Sequence, residues 1–95
     1  MTRASEHQSP MEKAYHRAAG VRNQYEEFLR EKANVVGVGV GLQMKGGKPT
    51  GEIAIVVLVR EKVPADQLAP EDVLPAQLEG VPIDVHEIGE ITAYP

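Results

Sequence analysis

The sequence predicts an α+β domain in which one long N-terminal helix packs on a small three-stranded, mainly antiparallel sheet, with a proline-rich loop before the last strand. Three observations predict it. Apolar residues recur at three- and four-residue steps from Met11 to Leu29, as one face of a helix does. Two β-rich runs, Val35 to Leu42 and Ile53 to Val59, flank the turn chemistry Lys45-Gly46-Gly47-Lys48-Pro49-Thr50-Gly51. A third run alternates Val81, Ile83 and Val85 with Pro82, Asp84 and His86. A chain of 95 residues has room for one core, so the expected division is a flexible tail over 1–8 and a single domain over 9–95.

The helix is predicted over about 10–33. Ser9-Pro10-Met11-Glu12 supplies an N-cap, a proline at the tolerated first position and a capping-box glutamate. Met11, Ala14, Tyr15, Ala18, Val21, Tyr25, Phe28 and Leu29 form the apolar stripe, Glu26 and Arg30 make a helix-compatible ion pair, and Asn34 suits a left-handed terminus. Such a helix runs roughly 35 Å against about 27 Å for an eight-residue strand. Its first turns should therefore overhang the sheet, carrying Met11, Ala14, Tyr15 and Ala18 towards a symmetry mate.

The strands are predicted over about 35–43, 52–60 and 81–88. In the first, simple alternation puts Val36, Val38, Val40 and Leu42 on one face and Gly37, Gly39 and Gly41 on the other beside Val35. The second is apolar at every position from Ile53 to Val59, so both its faces need cover. One helix shelters one face. The other requires the later loop, another subunit or another domain. Between Glu61 and Gly80 the chain is punctuated by Pro64, Pro70 and Pro75, with Val63, Leu68, Val73, Leu74 and Leu78 interspersed. Leu68 and Leu74 are expected to pin this loop over the exposed sheet face, while Val73 and Leu78 suit either cover or partner binding. Pro82 marks the third strand as an edge.

Composition narrows the function classes. There is no cysteine, which removes disulfides, thiolate metal sites and cysteine nucleophiles and suits a reducing cytoplasm. The first ten residues have no apolar core of a signal peptide. The longest apolar run, Ile53 to Val59, falls far short of the roughly 20 residues a spanning helix needs, so no membrane association is expected. All ten Lys and Arg lie at or before Lys62, and seven of the fourteen acids follow it. This polarity suits either an acidic tail lying across its own basic helix or head-to-tail contact between copies. Arg17, Arg22, Arg30 and Lys32 are interleaved with Glu26, Glu27 and Glu31, which disfavours nucleic acid.

Chemical motifs are sparse. Gly37-Val38-Gly39 begins like a dinucleotide fingerprint, but Leu42 stands where the third glycine belongs and no helix pattern follows. Asp84 and His86 share a strand face beside Glu87, a two-ligand start for a metal, with His7 and His16 far away in sequence. Ser9 is occupied as a cap, and Thr50 and Thr92 have no base nearby in sequence. No catalytic, cofactor or metal residue is assigned, and the chain is expected not to be an enzyme.

The stretches "NVVGVGVG", "GGKPTGEIAIVVLVREKVP" and "LPAQLEGVPIDVHEIG" together resemble the region preceding the catalytic domain in bacterial trypsin-like serine peptidase homologues, over about Asn34 to Gly89. The resemblance implies a non-catalytic leader module. Since the sequence stops at Pro95, no catalytic histidine, aspartate or serine carries over to any residue here.

The function expected is a non-enzymatic, self-associating interaction module whose partner is a second copy of itself. Its contacts are expected from the sheet face or edges and the helix stripe: Met11, Tyr15, Ala18, Tyr25, Val36, Val38, Val40, Val57, Val73 and Leu78. The alternative, implied by the resemblance, is a module that binds or inhibits a trypsin-like peptidase in trans through the Val63 to Gly80 loop.

Overall fold

The structure is a computed structural model and describes residues 9–88. The expected tail over 1–8 and everything after Ile88 lie outside the described residues. Helix α1 spans Pro10–Arg30, followed by strands β1 (Val35–Lys45), β2 (Lys48–Val59), β3 (Gln77–Leu78) and β4 (Val81–Glu87). Two single 3-10 turns, Ala65–Gln67 and Pro70–Asp72, punctuate the long connection after β2. The class is α+β as predicted, but the sheet has four strands in the order β1-β2-β4-β3.

Helix α1 starts where its capping chemistry places it. The Ser9 hydroxyl accepts from the Glu12 N–H at 3.1 Å and the Glu12 carboxylate accepts from the Ser9 N–H at 3.4 Å. The helix stops at Arg30, a turn earlier than its apolar stripe predicts, with Glu31 as C-cap. Asn34 does adopt the left-handed conformation, at φ 76°, but it closes the turn into β1.

The sheet is mixed. β1 and β2 form the antiparallel hairpin, with Gly46 and Gly47 at positive φ in its turn. β4 runs parallel to β2, pairing Val57 with Val85 and Val59 with Glu87. The long connection has carried the chain back to the start of β2, and a parallel partner demands such a crossover. Two-residue β3 pairs antiparallel with the start of β4, so Pro82 lies on a covered stretch and not on the open edge its residue type predicts.

The core lies between α1 and one sheet face. Ala18, Val21 and Leu29 meet Val38, Ile55, Val57, Val59 and Val81, flanked by Tyr25, Val35, Val40, Ile53, Ile83 and Val85. Burying a side chain such as Leu29, Ile55 or Val57 contributes about 1.5–3 kcal/mol, and all three are fully enclosed. The expected alternation in β1 fails at one residue. A register shift between Val35 and Gly37 lets Val35 pair with Val59 on the core face and turns Val36 out, leaving it 41% exposed.

The loop does not cover the far face. Leu74 and Leu78 pack into the helix-side core, and Lys32 and Ala33, just beyond α1, hold the loop by donating to the Glu71 carbonyl and, at 2.8 Å, to the Asp72 carboxylate. The far face, carrying Gly37, Gly39 and Gly41 beside Ala54, Val56 and Leu58, is sheltered differently. A Cβ on Gly37 would stand 3.2 Å from Leu58 Cδ1, so Gly37 makes room for a side chain of the neighbouring strand. The hairpin also bends. A second register shift between Leu42 and Met44 and a positive φ of 90° at Gly51 bring the Met44 N–H within 2.8 Å of the Asp84 carboxylate on β4, across the width of β2. Ala54 is thereby fully buried, while Val56 and Leu58 stay half-buried. The second face is thus partly closed by the protein's own hairpin. Among the described residues, no helix is long and apolar enough to cross a membrane.

Candidate interaction surface

Among the described residues, β1 is the outer strand on one side of the sheet. Which of its main-chain groups face outward follows from the ladder. The Ile88 N–H donates to the Val59 carbonyl at 2.9 Å, so β2 turns Val59, and with it Val57 and Ile55, towards β4. Leu58, Val56 and Ala54 then face β1 and meet Gly37, Gly39 and Gly41. Val38, Val40 and Leu42 are left with their N–H and C=O groups pointing away from the sheet. The Arg22 guanidinium caps one of them, donating to the Val38 carbonyl from Nη2 at 2.8 Å and Nε at 3.2 Å.

Arg22 is held in place from its own helix. Its Nη1 and Nη2 donate to the two Glu26 carboxylate oxygens at 2.9 and 3.2 Å, and Arg30 donates to Glu26 at 2.8 Å. The hydrogen bond from Arg30, reinforced by the charges of Arg22 and Arg30, outweighs partial burial and holds the Glu26 carboxyl below its ordinary range. α1 thus turns a charged ladder towards the β1 edge at its middle and C-terminal turns. Its N-terminal turns are apolar there, with Tyr15 48% exposed.

The ten residues expected to make contacts separate by burial. Met11, Tyr15, Val36 and Val73 are exposed and free to meet a second molecule. Ala18, Val38 and Val57 are buried between α1 and the sheet, so they support the surface without touching a partner. Tyr25, Val40 and Leu78 are half-buried against the same core. The Glu79 carboxylate beside the Tyr25 hydroxyl pushes that phenol above its ordinary pKa, which places Tyr25 on the loop side of the helix, away from β1. Leu42, Phe28 and Arg22 were not among the expected contacts. Leu42 is exposed at the outer strand and Phe28 is exposed on α1 with the Lys32 ammonium 4.4 Å from its ring centre. Arg22 was legible as a partner for Glu26 four residues on, but its reach to β1 depends on the helix crossing that strand.

A second cluster lies on the far face. His86 Nε2 is 2.7 Å from Asp84 Oδ2, the oxygen that also accepts from Met44. Burial raises the Asp84 pKa, but His86, the Met44 N–H and the nearby Lys62 together bring it below the ordinary value. These residues, with Gly46 and Gly47, line an open groove of about 400 Å³. Among the described residues no three His, Asp or Glu side chains are gathered for a metal ion.

Fold and surface together define a small α+β domain, one helix on a mixed sheet with an open outer strand. Residues 18–87 match the model of the NARROW LEAF 1 N-terminal domain, and the chain belongs to that family. The match corrects the resemblance to bacterial peptidase leaders: the family is a plant protein domain. The glycine-valine and proline-rich stretches that carried the resemblance are sheet and turn chemistry, low in lineage information. No curated protein matches the chain.

Proposed function

We propose that this domain is a non-enzymatic self-association module whose contact surface is the β1 edge and the adjoining flank of α1. One observation carries the reading. The straight part of β1, Gly37 to Leu42, has neither charge nor proline on it, although an outer strand of a monomeric protein is normally guarded by such residues. Exposed Val36 and Leu42 stand on that strand and exposed Tyr15 on the helix. A cytoplasmic setting is part of the proposal, supported by the absence of cysteine.

Light scattering across a concentration series tests this. The mass should rise to a multiple of the monomer's, and Tyr15→Glu should raise the dissociation constant about tenfold or more, as loss of an interfacial aromatic does. A single monomeric mass at every concentration would end the proposal.

A further inference from the structure

We infer that the module closes as a twofold dimer in which β1 pairs antiparallel with β1 of a second copy, the axis passing through Gly41, to make one continuous sheet. This rests on the self-association proposed above and adds its register and symmetry.

The register follows from which groups are free. Register shifts at both ends confine the straight edge to Gly37 through Leu42. Within it the main chains of Val38, Val40 and Leu42 face outward, and the Val38 carbonyl is already taken by Arg22. A register centred on Val40 would set Val38 against the partner's Leu42 and displace Arg22. A register centred on Gly41 pairs Val40 with the partner's Leu42 and leaves Arg22 in place. Every free group of those two residues then finds a partner, and the glycines at the centre lie in the close, non-hydrogen-bonded arrangement of an antiparallel pair.

The helix spacing agrees. Gly41 is three residues beyond Val38, roughly 10 Å along β1. α1 crosses Val38 at Arg22 and runs antiparallel to β1, so the same distance corresponds to about seven helical residues. That position is Tyr15, the exposed aromatic. The axis passing Gly41 therefore passes Tyr15. The two helices come to lie antiparallel on one side of the joined sheet, with Met11 of one copy opposite Ala19 of the other, a large residue against a small one.

Closure at two copies follows from the opposite side of the sheet. There β4 is covered at its start by β3 and by the Ile83 N–H donating to the Ala76 carbonyl at 3.0 Å, and the rest carries Asp84, His86 and Glu87. These are the guards that β1 lacks. An isologous contact through β1 alone uses up the unguarded edge of both copies.

The chain has no cysteine, so a single introduced one reports its own mate. A Cβ on Gly41 makes only an ordinary contact, 3.5 Å to Val56, and a Cβ on Gly39 meets nothing within 4 Å. Under mild oxidation Gly41→Cys should form a covalent dimer, because self-paired residues on the axis fall within disulfide reach. Gly39→Cys, about 13 Å from its mate in this register, should not. In the unmodified protein, the Val40 and Leu42 amides should exchange at least tenfold more slowly at concentrations where the mass has doubled. A doubled mass with unprotected Val40 and Leu42 amides, or a covalent dimer from Gly39→Cys and none from Gly41→Cys, overturns the β1 register while leaving self-association standing. A monomeric mass throughout overturns both.

Discussion

Single residues here decide where segments attach. The Asp84 carboxylate is the clearest case, since one oxygen accepts from both Met44 and His86 and ties the bent hairpin to β4. Removing the side chain strands a half-buried N–H, so Asp84→Ala should cost about 1–3 kcal/mol in a urea titration. The pH dependence has a definite sign. The folded pKa lies below the unfolded one, so the carboxylate's stabilisation is fully present above the ordinary aspartate range and is lost as pH falls through the lowered value. Asp84→Asn should flatten this acid limb of the stability profile, and an unchanged limb would show that the groove contributes nothing there. Little of this was legible in the sequence. Alternation places Asp84 and His86 on one face, but the contact of Asp84 with Met44 depends on a bend forty residues away. Ser9 and Glu12 are the opposite case, because a capping box is complete within four neighbouring residues and needs no tertiary information.

Secondary-structure elements are legible in the sequence where a local period governs them and illegible where pairing does. The stripe from Ala18 to Leu29 faces the sheet as its spacing requires. Leu29 is wholly enclosed, and Leu29→Ala should lower stability by about 2–5 kcal/mol, the range for a buried leucine that leaves a cavity; a loss under about 1 kcal/mol would mean that α1 packs more loosely than described. In β1 strict alternation puts Val36 inside, whereas the bulge puts Val35 there. An inserted residue leaves no mark on composition, and both positions are valine. β3 leaves no signal in the sequence because two residues are too few to carry a period. The parallel direction of β4 depends on where a long connection ends, which its prolines do not encode.

At the scale of the whole molecule, the shortage of cover inferred for β2 is half right. α1 shelters one face, and the far face is closed over Ala54 by the hairpin while Val56 and Leu58 remain half-buried. The larger opportunity for contact is therefore the β1 edge and not the sheet face. The parallel placement of β4 also bears on how the protein is made. Helix and hairpin are contiguous in sequence, but β4 docks only after the chain has travelled back along the sheet from Val59 to Val81, and distant pairings of this kind are the slow part of folding. During synthesis β2 emerges well before the strand that flanks it, so for a time the newborn domain shows water two unguarded sheet margins where the described residues of the finished one show a single unguarded margin. Pulse-labelled amide exchange should find Gly39 and Gly41 protected before Asp84, His86 and Ile88, the β4 amides that face β2, and simultaneous protection would argue that the sheet assembles in one step. A nascent domain in that interval is most exposed to joining the wrong neighbour, and the arrival of β4 ends the hazard on that flank.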